Sequence, residues 1–399
     1  MDGLAGTALI PRREPVAMPR AIPVARPWLP DAGALLPYLR RIDAARIYAN
    51  WGPLNAELER RLAERLGAAV VTVSTATDGL ACALRAVLED RPAAQRRGLC
   101  LMPSWTFVAT AHAAVAAGLT PCFLDVDEAC WTLTPDRVRA ALRGGLARRT
   151  ELPVSAIVTV APFGLPLDPA PWDELAAGTG IPVVIDAAAA FDGLRVGMAP
   201  AVVSMHATKT VCAGEGGFVA TRDADLARRV KRTANFGFFG ARIAEVAGLN
   251  AKLSEYHAAV GLASLDQWPT RRGDYMAAGI ALRAGLEPLG CGFLPGFGEA
   301  WVSSSCVLRL PPGRRAAEVA VALGLDGVGT RAWWGAGCHA SPAFAPCPVA
   351  EELRTTARLA ETTLGLPFFP DLQAPDVARI VTAMDSALGG PKRRRRPAA

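Results

Sequence analysis

The chain has 399 residues, of which 51% are hydrophobic and 20% charged, which excludes a disordered chain poor in apolar residues and fits two or three domains at roughly 100–200 residues each. The net charge is +6. Five of the positive charges stand in one run, residues 392–396, so the near-neutral body excludes a nucleic-acid-binding protein by composition.

Residues 1–30 hold many prolines and few periodic apolar positions, and predict an extended arm. Leu54, Leu58, Leu62 and Leu66 then recur four apart, with Glu57, Arg60, Arg61 and Glu64 between them. That spacing predicts an amphipathic helix. Apolar runs next alternate with helical patterns: run 69–73, helix 78–89, run 99–102, helix 106–117, run 121–126. A further helix opens with Thr134 as N-cap and Pro135 in first position. Then come run 156–161, helix 172–177, run 181–185, and runs 202–207 and 217–221. Runs that are apolar on both faces predict buried parallel strands joined by helices. Helices are expected over 223–234, 253–267 and 271–287. The remainder has fewer elements: run 302–310, helix 315–323, run 327–333 and helix 376–388.

The fold class read from this pattern is α/β. A large domain, 1–270, carries a mostly parallel sheet flanked by helices. A smaller C-terminal α+β domain covers 271–390, and a basic tail, 391–399, is expected to be disordered. No window reaches ~18 consecutive apolar residues, so no membrane span is expected. No long apolar stretch follows Arg12 and Arg13, so no secretory leader is expected either. The nine cysteines are scattered singly without a CxxC pair, as in a reduced cytoplasmic protein. None of the four histidines has zinc-ligand spacing, so no metal is expected.

In an open α/β sheet, ligands bind outside the carboxyl ends of the strands. After run 69–73 comes Ser74-Thr75-Ala76-Thr77-Asp78-Gly79, opening a helix. After 99–102 comes Pro103-Ser104-Trp105-Thr106-Phe107. Run 181–185 ends in Asp186, and Val203 is followed by Ser204-Met205-His206-Ala207-Thr208-Lys209. A helix N-terminus suits a phosphate and an aromatic covers a planar ring. A carboxylate can hold a protonated ring nitrogen, and an amine can form a Schiff base. Together these meet the requirements of pyridoxal 5′-phosphate (PLP). Each also has a simpler role: Asp186 could cap the next helix, Lys209 could be a solvated surface amine, and Phe107 could be core.

The motifs in this order resemble the DegT-type PLP-dependent sugar aminotransferases, of fold type I, across nearly the whole chain. Tyr48-Ala49-Asn50-Trp51-Gly52-Pro53 is similar to the family's N-terminal active-site loop. Ser74-Thr75-Ala76-Thr77-Asp78 resembles its phosphate turn, and the segment from Pro103 to Thr110 its ring-stacking segment. Ile185-Asp186-Ala187-Ala188 resembles the aspartate strand, and Ser204 through Lys209 with Glu215-Gly216-Gly217 the lysine segment. Gly248-Leu249-Asn250-Ala251-Lys252-Leu253-Ser254-Glu255 resembles the segment that reaches the partner subunit.

The resemblance implies that Lys209 holds PLP covalently and moves protons, and that Asp186 pairs with the pyridine nitrogen. It implies that the N–H groups of Ala76 and Thr77 and the hydroxyls of Thr77 and Ser204 take the phosphate, and that Phe107 stacks on the ring. Asn250 is expected to reach the phosphate of the other subunit's cofactor, in a homodimer with shared sites. Tyr48, Asn50, Trp51 and the stretch from Trp333 to His339 are candidates for the substrate mouth. The implied reaction moves an amino group from L-glutamate to a keto sugar on a nucleotide. A keto-cyclitol acceptor and a non-catalytic PLP-scaffold regulator are the alternatives. Three positions depart from the family pattern. Ala189 stands where Gln or His usually contacts the cofactor's phenolic oxygen. Ala76 stands where the phosphate turn usually has Gly, and Lys252 where Arg is common.

Overall fold

The computed structural model describes residues 20–238 and 240–389. The expected tail at 391–399 and the first part of the arm, residues 1–19, lie outside the described residues. Short apolar runs become strands β1 (Ala69–Val73), β2 (Leu99–Pro103), β3 (Thr120–Leu124), β4 (Val154–Val160), β5 (Val183–Asp186), β6 (Ala201–Ser204) and β7 (Gly217–Thr221). They form one sheet in the order β1-β7-β6-β5-β4-β2-β3. Neighbours from β6 to β3 pair in parallel, while β7 runs antiparallel to both β6 and β1. Strands β2, β5, β6 and β7 are buried along their whole length, as expected of a sheet covered by helices on both faces.

The chain leaves β2 toward β3 on one side and toward β4 on the other. Where the order reverses in this way, the loops at the carboxyl ends diverge and open a crevice. The ends of β1, β2, β4, β5 and β6 all face that edge of the sheet. The leucine-spaced helix is Pro53–Leu66, with Leu54, Leu58 and Leu62 at most 1% exposed. Each such side chain contributes roughly 1.5–3 kcal/mol of burial.

Two expectations change. The helices expected over 253–267 and 271–287 are one helix, Glu255–Leu286, with Pro269 inside it. A proline removes one backbone hydrogen bond and usually kinks or stops a helix. Here buried Leu262 and Trp268 before it, and Tyr275 and Leu282 after it, pack into one core, and that packing carries the helix through. Residue 270, where the two domains are expected to meet, lies within this helix. The run 327–333 forms no strand; it makes only isolated bridges, Val328 with Ile22 and Arg331 with Gly365. Gly327 takes a left-handed φ of 69°, which breaks an extended run.

The C-terminal part carries an antiparallel sheet of β8 (Gly292–Phe293), β9 (Cys306–Arg309) and β10 (Thr363–Leu366), in the order β10-β9-β8. Helices Ala32–Ala45 and Arg354–Thr362, and strand β10, have no counterpart in the expected elements. No helix of the described residues is long and apolar enough to cross a membrane.

Candidate active site

Asp186 ends β5 and is 6% exposed. Its Oδ2 accepts a hydrogen bond from Thr110 Oγ1 at 2.7 Å, and its Oδ1 accepts one from the Ala188 N–H at 3.1 Å. Thr110 in turn shares a 2.8 Å hydrogen bond with Thr106 Oγ1. The carboxylate is thus held in one orientation by a hydroxyl relay from the helix Val108–Ala116. Burial raises its pKa above the ordinary aspartate value; the two hydrogen bonds and the charge of Lys209 act against that rise. Lys209 lies in the turn after β6, its backbone N–H bonded to the His206 carbonyl at 2.8 Å. Burial pushes its ammonium pKa below the ordinary lysine value, and the charge of Asp186 resists. The carboxylate and the amine therefore act on each other as counter-charges.

Neither residue takes the simpler role that the sequence left open. The next regular element after β5 is β6, not a helix that Asp186 could cap, and Lys209 is not a solvated surface amine. The sequence holds four lysines. Lys231 pairs with Glu59 at 2.9 Å and lies over the Trp51 ring. Lys252 bonds Asn250 Oδ1 at 2.6 Å and lies over Phe236. Lys392 is outside the described residues.

The turn after β1 is fixed by one carboxylate. Asp78 Oδ2 accepts from Ser74 Oγ at 2.7 Å and from Thr75 Oγ1 at 2.8 Å, and Thr75 Oγ1 accepts from the Asp78 N–H at 3.0 Å. Thr75 thereby caps the helix Ala76–Leu88. The N–H groups of Ala76 and Thr77, in its first turn, have no acceptor within the helix and can serve an anion. Ala76 is not among the positive-φ residues, so its Cβ is tolerated where the family usually has glycine. Gly217 at the start of β7 lies against this turn: a Cβ there would stand 2.7 Å from the Val203 carbonyl oxygen and 3.0 Å from the Ala76 nitrogen. Ser204, the last residue of β6, is 8% exposed and its Oγ accepts from the His206 N–H at 3.2 Å.

Phe107 projects into the open, 60% exposed. It lines a cavity of about 540 Å3 together with Thr106, Arg331, Trp333, Trp334 and the turn after them. Lys209 lines a separate cavity of about 10 Å3 with Arg26, Trp28, Tyr275 and Ser304. His339 does not line the large cavity. Its Nδ1 is 2.6 Å from Ser104 Oγ, and the Cys338 N–H donates to the Ser104 carbonyl at 2.7 Å. The histidine pins the 334–341 turn to the end of β2.

Tyr48, Asn50 and Trp51 are not brought to either cavity. Tyr48 is half exposed and stacks on Tyr256 at 6.2 Å. Asn50 and Trp51 hold left-handed φ of 62° and 55°, which costs non-glycine residues free energy. Asn250 is exposed, but the carbonyl next to it, of Ala251, accepts from the Ser74 N–H at 2.8 Å. Ala189, the family departure, is partly buried, and its carbonyl accepts from Ser303 Oγ at 3.4 Å. Sequence reasoning missed three residues here. Thr110 had a signal in its four-residue spacing from Thr106. Phe163, after β4, and Arg331 had none in periodicity. Phe163 stacks on Trp334 at 4.1 Å, and both hold left-handed backbone, at 54° and 65°.

The family model of the DegT/DnrJ/EryC1/StrS aminotransferases matches residues 32–385. Protein Rv3402c of Mycobacterium tuberculosis is 31% identical over 92% of this chain and 90% of its own length. The UDP-N-acetyl-3-dehydro-alpha-D-glucosamine 3-aminotransferase of Acidithiobacillus ferrooxidans is 31% identical over 87% of this chain and 91% of its own. Among solved structures, DesI, crystallised in the presence of its TDP-sugar product, superposes with a TM-score of 0.81. It is 33% identical, covering 94% of each chain.

Proposed function

The chain belongs to the DegT/DnrJ/EryC1/StrS aminotransferase family, and on that premise we propose that it is a PLP-dependent transaminase moving an amino group from L-glutamate to a keto sugar carried on a nucleotide. The observation that carries the reading is the buried Asp186 at the end of β5, oriented by Thr110 and Ala188, with Lys209 in the turn after the adjacent strand β6. The nucleotide-linked acceptor is supported by the UDP-sugar and TDP-sugar relatives.

The residues present fit the cofactor. The N–H groups of Ala76 and Thr77 with the hydroxyls of Thr77 and Ser204 form an anion cradle, and the exposed face of Phe107 suits a planar ring. Asp186 offers a carboxylate that Thr110 and Ala188 already orient. When bound, PLP supplies an electron sink for the substrate carbanion. Asp186 would keep the ring nitrogen protonated, since an opposite charge at contact distance favours the charged form by roughly 1–3 pKa units. Lys209, whose lowered pKa enlarges the fraction of free amine, would act as nucleophile toward the carbonyl of the cofactor. Its Nζ would then carry the proton from the α-carbon of the donor, and return it in the acceptor half.

We infer a homodimer with shared sites in the cytoplasm. Ile47, Tyr48, Phe236, Ile243 and Tyr256 are large apolar side chains that this subunit leaves 43–70% exposed. Tyr48 and Tyr256 stack on each other at 6.2 Å, and an exposed apolar patch of this kind marks an interface. They flank Asn250, which would meet the phosphate of the partner's cofactor. Tyr48, Asn50 and Trp51 would likewise serve the partner's substrate mouth.

The test is the visible spectrum of the enzyme as purified, with and without L-glutamate. A band near that of protein-bound PLP that disappears on adding glutamate supports both cofactor and donor. A chain that binds no PLP, or a band that glutamate leaves unchanged, contradicts the cofactor or the donor respectively.

A further inference from the structure

We propose that Arg331 is the phosphate-recognising residue of the acceptor site, so that the enzyme selects an anionic, phosphate-bearing acceptor over a neutral keto-cyclitol. The proposal rests on the nucleotide-sugar reading and names the group that would enforce it. Among the described residues, Arg331 is the only charged one lining the 540 Å3 cavity, and no Asp or Glu borders it. Its side chain is exposed, and its guanidinium has no acidic partner among the described residues. Arg26, which lines the smaller cavity, is paired with Asp371 at 3.0 Å; Arg331 at the mouth of the larger one is a free anion receptor.

The arginine is also held in place. Its backbone N–H donates to the Gly365 carbonyl at 3.0 Å, and its carbonyl accepts from the Gly365 N–H at 2.9 Å. The guanidinium carbon lies 4.8 Å from the centroid of the Trp333 ring, a cation–π distance. Trp333 itself packs against β10 where residue 365 is glycine: a Cβ there would stand 2.2 Å from Trp333 Nε1. Sheet, indole and guanidinium thus form a stack that fixes the charge before any ligand arrives. A planar fork of donors matches a phosphate in two hydrogen bonds at once. Phe107, the residue offered to the cofactor ring, lines the same cavity as Arg331, while Lys209 borders a separate one, so the free cation stands beyond the ring and away from the amine.

The test uses the cofactor-loaded enzyme and three probes: dTDP, UDP and inorganic pyrophosphate, titrated by calorimetry or tryptophan fluorescence. The parent should bind at least one nucleoside diphosphate, and more weakly as salt is raised. R331Q keeps much of the side chain's length and should bind roughly tenfold to a hundredfold more weakly. R331K should lose less, because it retains the charge without the fork. An unshifted melting temperature shows that both variants are folded. R331Q binding within about twofold of the parent overturns the assignment of Arg331 and leaves the nucleotide reading intact. A variant that instead raises the KM for L-glutamate places Arg331 in the donor site and overturns the proposal. A parent that answers glutamate spectroscopically but binds no diphosphate overturns the proposal and the nucleotide reading together.

Discussion

At the ends of β5 and β6 the polar groups are buried and held in fixed relation. Asp186 is bound by Thr110 and Ala188, Lys209 lies in the turn after β6, and Ser204 is tied to that turn. The mouth formed by residues 331–342 instead leaves its charge without a charged partner and positions it by packing. Trp334 holds a left-handed φ of 65°, Arg331 is exposed and without an acidic partner, and the aromatic rings pack on one another. The contrast separates two jobs. Charges that make and break bonds need fixed partners and low dielectric, whereas groups that select a substrate must stay free to exchange water for ligand. The rigid region should therefore respond to substitution in rate and spectrum, and the mouth in affinity.

The largest expected effect concerns a residue that belongs to neither region within one subunit. Lys209→Ala and Asn250→Ala should each be severely impaired, the first by at least about 10,000-fold. Mixing the two after subunit exchange should rebuild one intact site per heterodimer, visible as recovered activity. No recovery would place Asn250 outside the rigid region of the partner. Next, Asp186→Asn should lower kcat by roughly 100- to 1,000-fold, with a changed visible band and little change in the affinity for a nucleoside diphosphate. A selective loss of that affinity would erase the division between the regions.

Gly217→Ala should act on the phosphate turn alone. The added methyl must displace the Val203 carbonyl or the Ala76 backbone, at a cost of about 1–3 kcal/mol. Lower thermal stability and weaker PLP retention in equilibrium dialysis should appear together. The smallest effect is at His339, which the geometry puts between the regions. Burial holds its imidazole below the ordinary value of 6.5, with Asp125 acting against that fall. The unfolded chain therefore takes up this proton first as pH falls. Stability is lost on going from about 6.5 down toward the folded-state value. His339→Asn, able to keep a hydrogen bond to Ser104, should flatten that part of a denaturation profile. An unchanged slope would show that the histidine does not titrate differently on folding.

The rigid region was the legible one. A buried parallel strand reads as an apolar run, and the polar residue that ends it announces the edge where ligands bind. That logic leads to Asp186, Ser204 and Lys209, and their order along the chain led to the family. The mouth was barely legible. Arg331 matters because Gly365 leaves room for Trp333 beside it, a contact between residues 32 apart, and no local period encodes it. The helix Glu255–Leu286 runs through Pro269 for a related reason: a proline's local preference is to end a helix, and tertiary packing on both sides overrides it. The helix Ala32–Ala45 escaped notice because Pro37 interrupts its pattern, although Asp31 does cap it, accepting from the Ala34 N–H at 2.9 Å.

The central claim is that Lys209 is the residue that carries the cofactor, and the sequence makes the decisive measurement simple because it contains only four lysines. The purified enzyme is reduced with borohydride, digested and mapped by mass spectrometry. The account predicts a pyridoxyl group on Lys209, and none on that lysine once the enzyme has been incubated with excess L-glutamate before reduction. A pyridoxyl group on Lys231, Lys252 or Lys392 in place of Lys209 would contradict it.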